Sequence, residues 1–500
     1  MALSLARRRA RALLRRLASA GGAAAARRAR SSPSPSPRGA PRGVGAAAAG
    51  GGPLSPAGSL LPVDLTIRLT VAVGVSGGVD SAVAAALLRA GASARGAARV
   101  VGAHMRNWDA ADEGGDAGCE AAAEREDARR VAAHLRLELA EVDLSREYWH
   151  DVFAPTVEAY AQGLTPNPDA ACNVHVKFGA FAAHCAEKLG ADLVATGHYA
   201  GLAPRCEAGT SSARSVRLLR GADAAYDQSY FLAAVRGEAL AGALFPLGGM
   251  LKSEVRRRAE ALGLHVAQKK TSTGLCFVGR RRFGDLLGAY ASGGLEEGCF
   301  VDVSSGEAVG RHHGAARYTF GQRARLGGSG EAYFVAGKDI ASRVVYVARE
   351  GEADALLTRG AAAGRFSWVG GAPPAEALSS PGGLRCEFKA RYATPSARCI
   401  VWDAASVHAP RLRPSLLWRA SDDALHRVGA MTAGDGRRGV VVTFEQPAKT
   451  ITPGQMLVLY SGEECLGGGP IEHIGQSVLE ERQAATQHAR MAAGATQSMV

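Results

Sequence analysis

"VAVGVSGGVDSAVAAALLRAGA", residues 71–92, decides the fold. An apolar, β-branched run ends at Gly74-Val75, a Ser-Gly-Gly turn follows, and an Ala- and Leu-rich helical pattern starts at Asp80 or Ser81, either of which can cap it. A strand ending in a glycine loop that opens a helix is an anion site, because unpaired backbone N–H groups and the helix dipole converge there, and phosphate is the usual guest. Gly77 and Gly78 permit close backbone approach, while Ser76 and Ser81 offer hydroxyls. The stretch lacks G-x-x-x-x-G-K-[ST] and G-x-G-x-x-G, which disfavours kinase- or GTPase-type transfer and dinucleotide binding. On these letters alone, a plain Ser/Gly turn stays open.

Outward from the loop, β-like runs alternate with helical patterns up to about residue 200: "RVVGAHM", "CEAAAEREDARRVAAHL", then "KFGAFAAHCAEKLG" leading into "ADLVATGH". This alternation predicts an α/β fold, an N-terminal Rossmann-like parallel sheet covered by helices. Residues 285–382 are Gly-rich with short β-like pieces and read as a central β-rich domain. Short strands such as "LRCEFKARY" and "GQMLVLYSG" predict a C-terminal β-barrel over 383–472, followed by a loose tail, 473–500. The catalytic domain is placed at 64–284, and no internal repeat is seen.

The net charge of +12 is an uneven one. Residues 1–63 hold eleven Arg, no Lys and no acid, which leaves 48 cations against 47 anions in the rest. Any nucleic-acid site must then be a local patch. The basic segment sets Arg7, Arg11 and Arg15 on one helical face, with Leu13, Leu14 and Leu17 off it, and reads as an organelle transit peptide. A disordered basic tail is the alternative. No run of about 18 apolar residues argues for a membrane span. The nine cysteines are scattered without a C-x-x-C pair, against a disulfide framework or zinc ribbon.

S-G-G-x-D-S resembles the pyrophosphate loop of the ATP pyrophosphatase superfamily, whose members cleave ATP to AMP and pyrophosphate. With "MRNW" (105–108), "GLTPNPDAACNVHVKFGAF" (163–181), "ATGHYA" (195–200), "YDQSYFL" (226–232), "KKTSTGLCFVG" (269–279), "YTFGQR" (318–323), "ARY" (390–392) and "TPGQMLVLYSGEECLGGG" (452–469), the chain resembles the tRNA-specific 2-thiouridylases in order and spacing. The resemblance runs from about Leu69 to Ile471 and covers the bacterial type and its mitochondrial counterpart.

What the resemblance implies is a reaction in two halves. ATP activates the C2 oxygen of the wobble uridine by adenylation, releasing pyrophosphate, and a cysteine persulfide then delivers sulfur. It puts ATP on Gly74, Val75, Ser76, Gly77, Gly78, Val79, Asp80 and Ser81, on Met105 and on Gly197, with Mg²⁺ held mainly through phosphate oxygens and water. Cys276 is implied to carry the persulfide and Cys172 to be the second catalytic cysteine, the nucleophile, which attacks it to release sulfide or form a Cys172–Cys276 disulfide that reduction must reset. Asp169 is the candidate general acid/base, and Asn167 and Pro168 would shape a pocket for an extruded base. Contacts to the tRNA anticodon loop are implied for Asn167, Pro168, Asp169, Tyr226-Asp227-Gln228, Arg391-Tyr392 and Gln455. His198 joins them as a site-shaping residue and not a metal ligand, since no second ligand stands at zinc spacing. The other partners expected are a persulfide-carrying sulfur donor protein and no membrane, for a monomer in the mitochondrion or, alternatively, the plastid stroma.

Two positions depart from the family's pattern: Thr271 stands where Asp is common, and Tyr226 where Lys is common. The first removes a charge near Cys276, the second a cation from an implied RNA-contact segment. Two rival readings remain, another ATP pyrophosphatase such as an amidating ligase, or an RNA-binding protein without activity. Exchange of ATP with pyrophosphate separates them, since a ligase needs no tRNA and a binder shows no exchange.

Overall fold

The computed structural model describes residues 69–95, 98–108, 116–205, 216–270, 283–327, 330–371, 373–419, 422–432, 439–449 and 451–497. The basic leader 1–63, Thr271 and Cys276 lie outside the described residues.

Among the described residues, seven strands precede residue 245: β1 (Leu69–Gly74), β2 (Ala98–Arg106), β3 (Leu139–Asp143), β4 (Leu193–Ala195), β5 (Ala200–Pro204), β6 (Val216–Arg220) and β7 (Ala243–Leu244). Five of them make a parallel sheet in the order β3-β2-β1-β4-β7, the Rossmann-like arrangement read from the alternation. Both faces are covered, which is why β1 is apolar nearly throughout. Leu69, Val71 and Val73 pack in one core with Val255 and Ala259, while Ala72 belongs to the opposite core with Phe181 and Val194. The helix Val79–Arg95 keeps Ala82, Ala84 and Ala85 fully buried, and side chains this small let it lie close to the sheet. Because β2 and β4 flank β1 on opposite sides, the loops leaving β1 and β4 border a crevice at the carboxyl ends, where ligands of such sheets bind.

The central sheet is built from β8 (Glu297–Asp302), β9 (Ala308–His313), β10 (Arg323–Ala324), β11 (Tyr333–Asp339) and β12 (Val344–Arg349). The remaining strands are β13 (Leu357–Ala363), β14 (Ser367–Trp368), β15 (Leu384–Lys389), β16 (Ala397–Asp403), β17 (Trp418–Arg419), β18 (Val440–Lys449), β19 (Met456–Ser461) and β20 (Glu464–Ile474). The order β13-β18-β16-β15-β19-β20, closed by a β13–β20 pairing, is an antiparallel barrel of six strands.

Three details correct the sequence reading. The barrel takes its first strand from 357–363, inside the stretch read as central; "LTRGAAA" turns Gly360, Ala361 and Ala363 inward, so small residues hide the apolar alternation that marks a strand. Conversely β17, from within 383–472, pairs with β11 of the central sheet. The hairpin β5–β6, inside 64–284, joins the barrel sheet through β6 and β20.

The loose tail is also corrected, because Val478–Gln497 is a helix. Its start is a capping box: the Ser477 N–H donates to Glu480 Oε2 at 2.7 Å, and the Glu480 N–H donates to Ser477 Oγ at 3.2 Å. The same carboxylate accepts from Ser415 Oγ at 2.9 Å and from the Leu416 N–H at 2.7 Å, tying the helix to the barrel. Glu480→Ala should therefore lower stability by about 2 kcal/mol, since a cap and charged hydrogen bonds are lost together. Thermal melts check this, and an unshifted midpoint would mean that the helix docks without its cap.

Candidate nucleotide and thiol site

Gly77 has φ +78°, and a Cβ there would stand 2.4 Å from the Glu124 carbonyl oxygen, so glycine is required on both conformational and steric grounds. At Gly78 a Cβ would meet only Ser76 Oγ, at 3.5 Å; this glycine faces open space. The hydroxyls brace the turn from inside: Ser81 Oγ accepts from the Ser76 N–H at 3.1 Å, donates to the Gly78 carbonyl at 3.1 Å and lies 3.1 Å from Ser76 Oγ. Val75 and Val79 are buried and anchor the two ends. Opposite the loop, Gly197 follows β4 so closely that a Cβ would lie 3.0 Å from Asp80 C and Ser81 N. Met105, half-buried near the end of β2, borders the same crevice two strands over.

Asp169 sits on a short turn of helix, Pro168–Ala171, and Cys172 opens the wide π-helical stretch that continues it, Cys172–Phe181. Asn167 caps it, accepting from the Ala170 N–H at 3.0 Å, and Pro168 at the first position is pre-set for the helix. From the barrel, Gln455 Nε2 donates to the Thr165 carbonyl at 2.9 Å and to Pro166 at 3.3 Å, and the Thr165 N–H donates to the Pro453 carbonyl at 3.0 Å. Gly454, at φ +90°, allows this approach, since a Cβ would stand 2.8 Å from Thr165 N. Asn173 Nδ2 reaches the Phe231 carbonyl at 3.0 Å, and Tyr230 donates to the Met456 carbonyl at 3.1 Å. Cys172 is buried, 5% exposed.

Electrostatics connect this turn to β4. Burial raises the Asp169 carboxyl above its ordinary range, against the opposing pull of Lys177. Burial, helped by the same Lys177, drives His198 well below the usual imidazole value, so the ring is neutral, with Nδ1 2.7 Å from Thr196 Oγ1. The Lys177 charge thus acts on both Asp169 and His198.

The residues implied to meet RNA are differently placed. Tyr226 is exposed, and its ring lies beside the Lys252 ammonium. Asp227 is 3% exposed and accepts from the Gly221 N–H, the Ser229 N–H and Ser229 Oγ, each at 3.0 Å, which makes it the holder of its own turn. Gln228 and Tyr199 exchange two hydrogen bonds, at 2.8 and 3.0 Å. Arg391 donates to the Phe320 carbonyl and to Thr452 Oγ1, both at 2.9 Å, so it links the central sheet to the barrel loop that carries Gln455. Tyr392 is half-buried against Phe231, ring centroids 4.6 Å apart.

Two lysines were not found by sequence reasoning. Lys269 Nζ donates to the Gly77 carbonyl at 3.1 Å and to Asp127 at 2.8 Å, and Lys252 Nζ reaches both oxygens of Asp80 at 2.6 Å. Their distance along the chain hides them; "KK" immediately before "TSTGLC" was the one local signal.

Residues 69–280 match the family profile described as the tRNA methyl transferase HUP domain, 289–349 the tRNA methyl transferase PRC-barrel domain, and 426–471 the aminomethyltransferase beta-barrel domain. Mitochondrial tRNA-specific 2-thiouridylase 1 of Drosophila melanogaster is 39% identical over 397 residues, 79% of this chain and 92% of the relative. The tRNA-specific 2-thiouridylase MnmA of Sodalis glossinidius is 40% identical over 380 residues, 75% and 90% of the two chains. That of Hahella chejuensis is 39% identical over 381 residues, 75% and 91%.

Proposed function

Because the chain belongs to the tRNA-specific 2-thiouridylase family, it is a tRNA sulfurtransferase, and we propose that it replaces the C2 oxygen of the wobble uridine by sulfur in two ATP-driven half-reactions. The observations that support this are a glycine loop opening a helix, with Gly197 packed against Asp80 and Ser81, and a clamped turn that bears Asp169 and the buried Cys172.

The loop fits a nucleotide's phosphates, since Gly78 leaves room at the helix end where first-turn N–H groups have no partner in the helix. ATP, when bound with Mg²⁺ on its phosphate oxygens and water, supplies the adenylyl group that turns the uridine oxygen into a leaving group. Gly74 to Ser81 would hold the phosphates, with Met105 and Gly197 bordering the rest. Cys276 carries sulfane sulfur from a donor protein, and Cys172 attacks the inner sulfur of that persulfide, so that a Cys172–Cys276 disulfide forms and the freed hydrosulfide displaces AMP from C2; an external thiol reductant then resets the two cysteines. Asp169, uncharged more readily than an exposed carboxylate, takes and returns the proton. Neutral His198, Asn167 and Pro168 wall the base pocket. Tyr226 and Tyr392 offer aromatic faces to unstacked anticodon bases. Asp227, Gln228, Arg391 and Gln455 contribute by holding these surfaces in place. The acid-free Arg-rich leader supports action in the mitochondrion.

The test is incubation with organellar tRNA, Mg²⁺-ATP and a persulfide donor, followed by nucleoside mass spectrometry and pyrophosphate release. Pyrophosphate exchange without tRNA would favour a ligase, and none at all a binder. The same assay reads Asp169. As a base it works only above its raised pKa, so thiolation should fall as pH drops through a value higher than an ordinary carboxylate's. Asp169→Asn should cut the rate about 10²- to 10⁴-fold and flatten that acid limb. A wild-type limb that persists unchanged in the variant would remove Asp169 from the proton step.

A further inference from the structure

The loop Gly74–Ser81 contains no basic residue, yet the structure brings one to it from 172 positions downstream. Lys252 opens the helix Lys252–Ala261, and its ammonium donates to both Asp80 carboxylate oxygens at 2.6 Å. The Tyr199 hydroxyl donates to Asp80 Oδ1 at 2.7 Å. The lysine side chain is only 5% exposed, against 27% for Asp80. Its ammonium also stands 5.4 Å from the Tyr199 ring centroid and 5.5 Å from that of Tyr226. At the backbone, the Lys252 N–H donates to Asp223 Oδ2 at 2.9 Å. One residue therefore ties three pieces together: the loop through Asp80, the segment after β4 through Tyr199, and the turn 223–226 through Asp223 and Tyr226.

A buried ion pair is a poor way to gain stability, because desolvation offsets the attraction and an apolar pair of similar volume does as well or better. What such a pair does give is a fixed geometry, with direction set by charge-assisted hydrogen bonds. On the reading of Gly74–Ser81 as a nucleotide loop, we propose that Lys252 is a positioning residue of the nucleotide site: it holds Asp80 and the first helical turn in register with the turn 223–226. Lys269 acts on the other side, where it supports Gly77 through its carbonyl and shares Asp127 with His265.

The test uses the full chain in tRNA-dependent ATP–pyrophosphate exchange. Lys252→Met keeps the length of the stem and removes the charge. It should raise the KM for ATP about 10- to 100-fold, the worth of one to two charged hydrogen bonds, while the KM for tRNA changes far less. Lys252→Arg should restore most of the loss. The double variant Lys252→Met with Asp80→Asn should be no worse than the poorer single variant, since both remove one interaction. A KM for ATP within about twofold of wild type in Lys252→Met, or losses that add in the double variant, would overturn the proposal. If Lys252→Met does not fold, Asp80→Asn, which frees the ammonium and leaves the lysine in place, must raise the KM for ATP by itself, or the proposal fails. Gly78→Val in parallel separates the two levels: ATP use lost there but intact in the Lys252 variants sinks this inference alone, and ATP use intact in all of them sinks the nucleotide loop as well.

Discussion

Cys172→Ala is expected to accept labelled sulfur on Cys276 and still release pyrophosphate with tRNA, yet to form 2-thiouridine at a rate lower by 10³-fold or more, on the order of what loss of a nucleophile costs. Cys276→Ala should fail earlier, losing both sulfur loading and thiolation while pyrophosphate release continues. The separation follows from geometry. Cys172 is buried on a turn set by Asn167, Pro168 and the Gln455 clamp, none of which belongs to the loop Gly74–Ser81. Trimming its side chain to a methyl leaves every one of those bonds in place. Mass spectrometry of each variant after incubation with a sulfur donor, alongside pyrophosphate release, reads both steps. Sulfur loaded on Cys276→Ala, or full thiolation by Cys172→Ala, would return both residues to a packing role.

The two loop glycines should fail in different ways. Gly78→Val points its side chain into open space above Ser76 Oγ, so the thermal midpoint should stay near that of wild type while ATP affinity falls. The expected loss is on the order of 100-fold, as for two backbone hydrogen bonds to a charged group at about 1.5 kcal/mol each. Gly77→Val should lose ATP binding and stability together, because a β-branched residue is forced to φ +78° against the Glu124 carbonyl. Strain alone costs about 1–3 kcal/mol. Calorimetric titration with ATP and thermal melts of both variants check the contrast, and unchanged ATP affinity in Gly78→Val would remove the loop from the nucleotide site.

The parallel sheet was legible because its signals are local: β1, its glycine turn and its helix are consecutive, and both faces of β1 are packed. The cysteine turn was legible as a motif, but not the reason for its shape, which is a clamp from Thr452 to Gln455 contributed by another domain. Asp227 and Arg391 show the limit more sharply. Their letters suit RNA contact, yet their hydrogen bonds go to Gly221, Ser229, Phe320 and Thr452, partners that only the folded chain reveals. The helix Val478–Gln497 was missed although S-x-x-E at Ser477–Glu480 announces it, because the Ala- and Gln-rich residues after it carry little apolar periodicity.

The β5–β6 hairpin has a bearing on the order of assembly. Its ladder to β20 joins Leu219 with Glu464, and Arg220 Nε meets the Gly462 carbonyl across 242 positions. The Gln455 clamp spans 290 positions to Thr165. Contacts so remote along the chain form late, after loop-closure entropy has been overcome, whereas β1, its loop and its helix can form from neighbouring segments. A chain emerging from the ribosome can thus form β1, its glycine turn and its helix before the Gln455 clamp holds the turn with Asp169 and Cys172 in place. Completion of the barrel is the event that fixes the turn carrying Asp169 and Cys172.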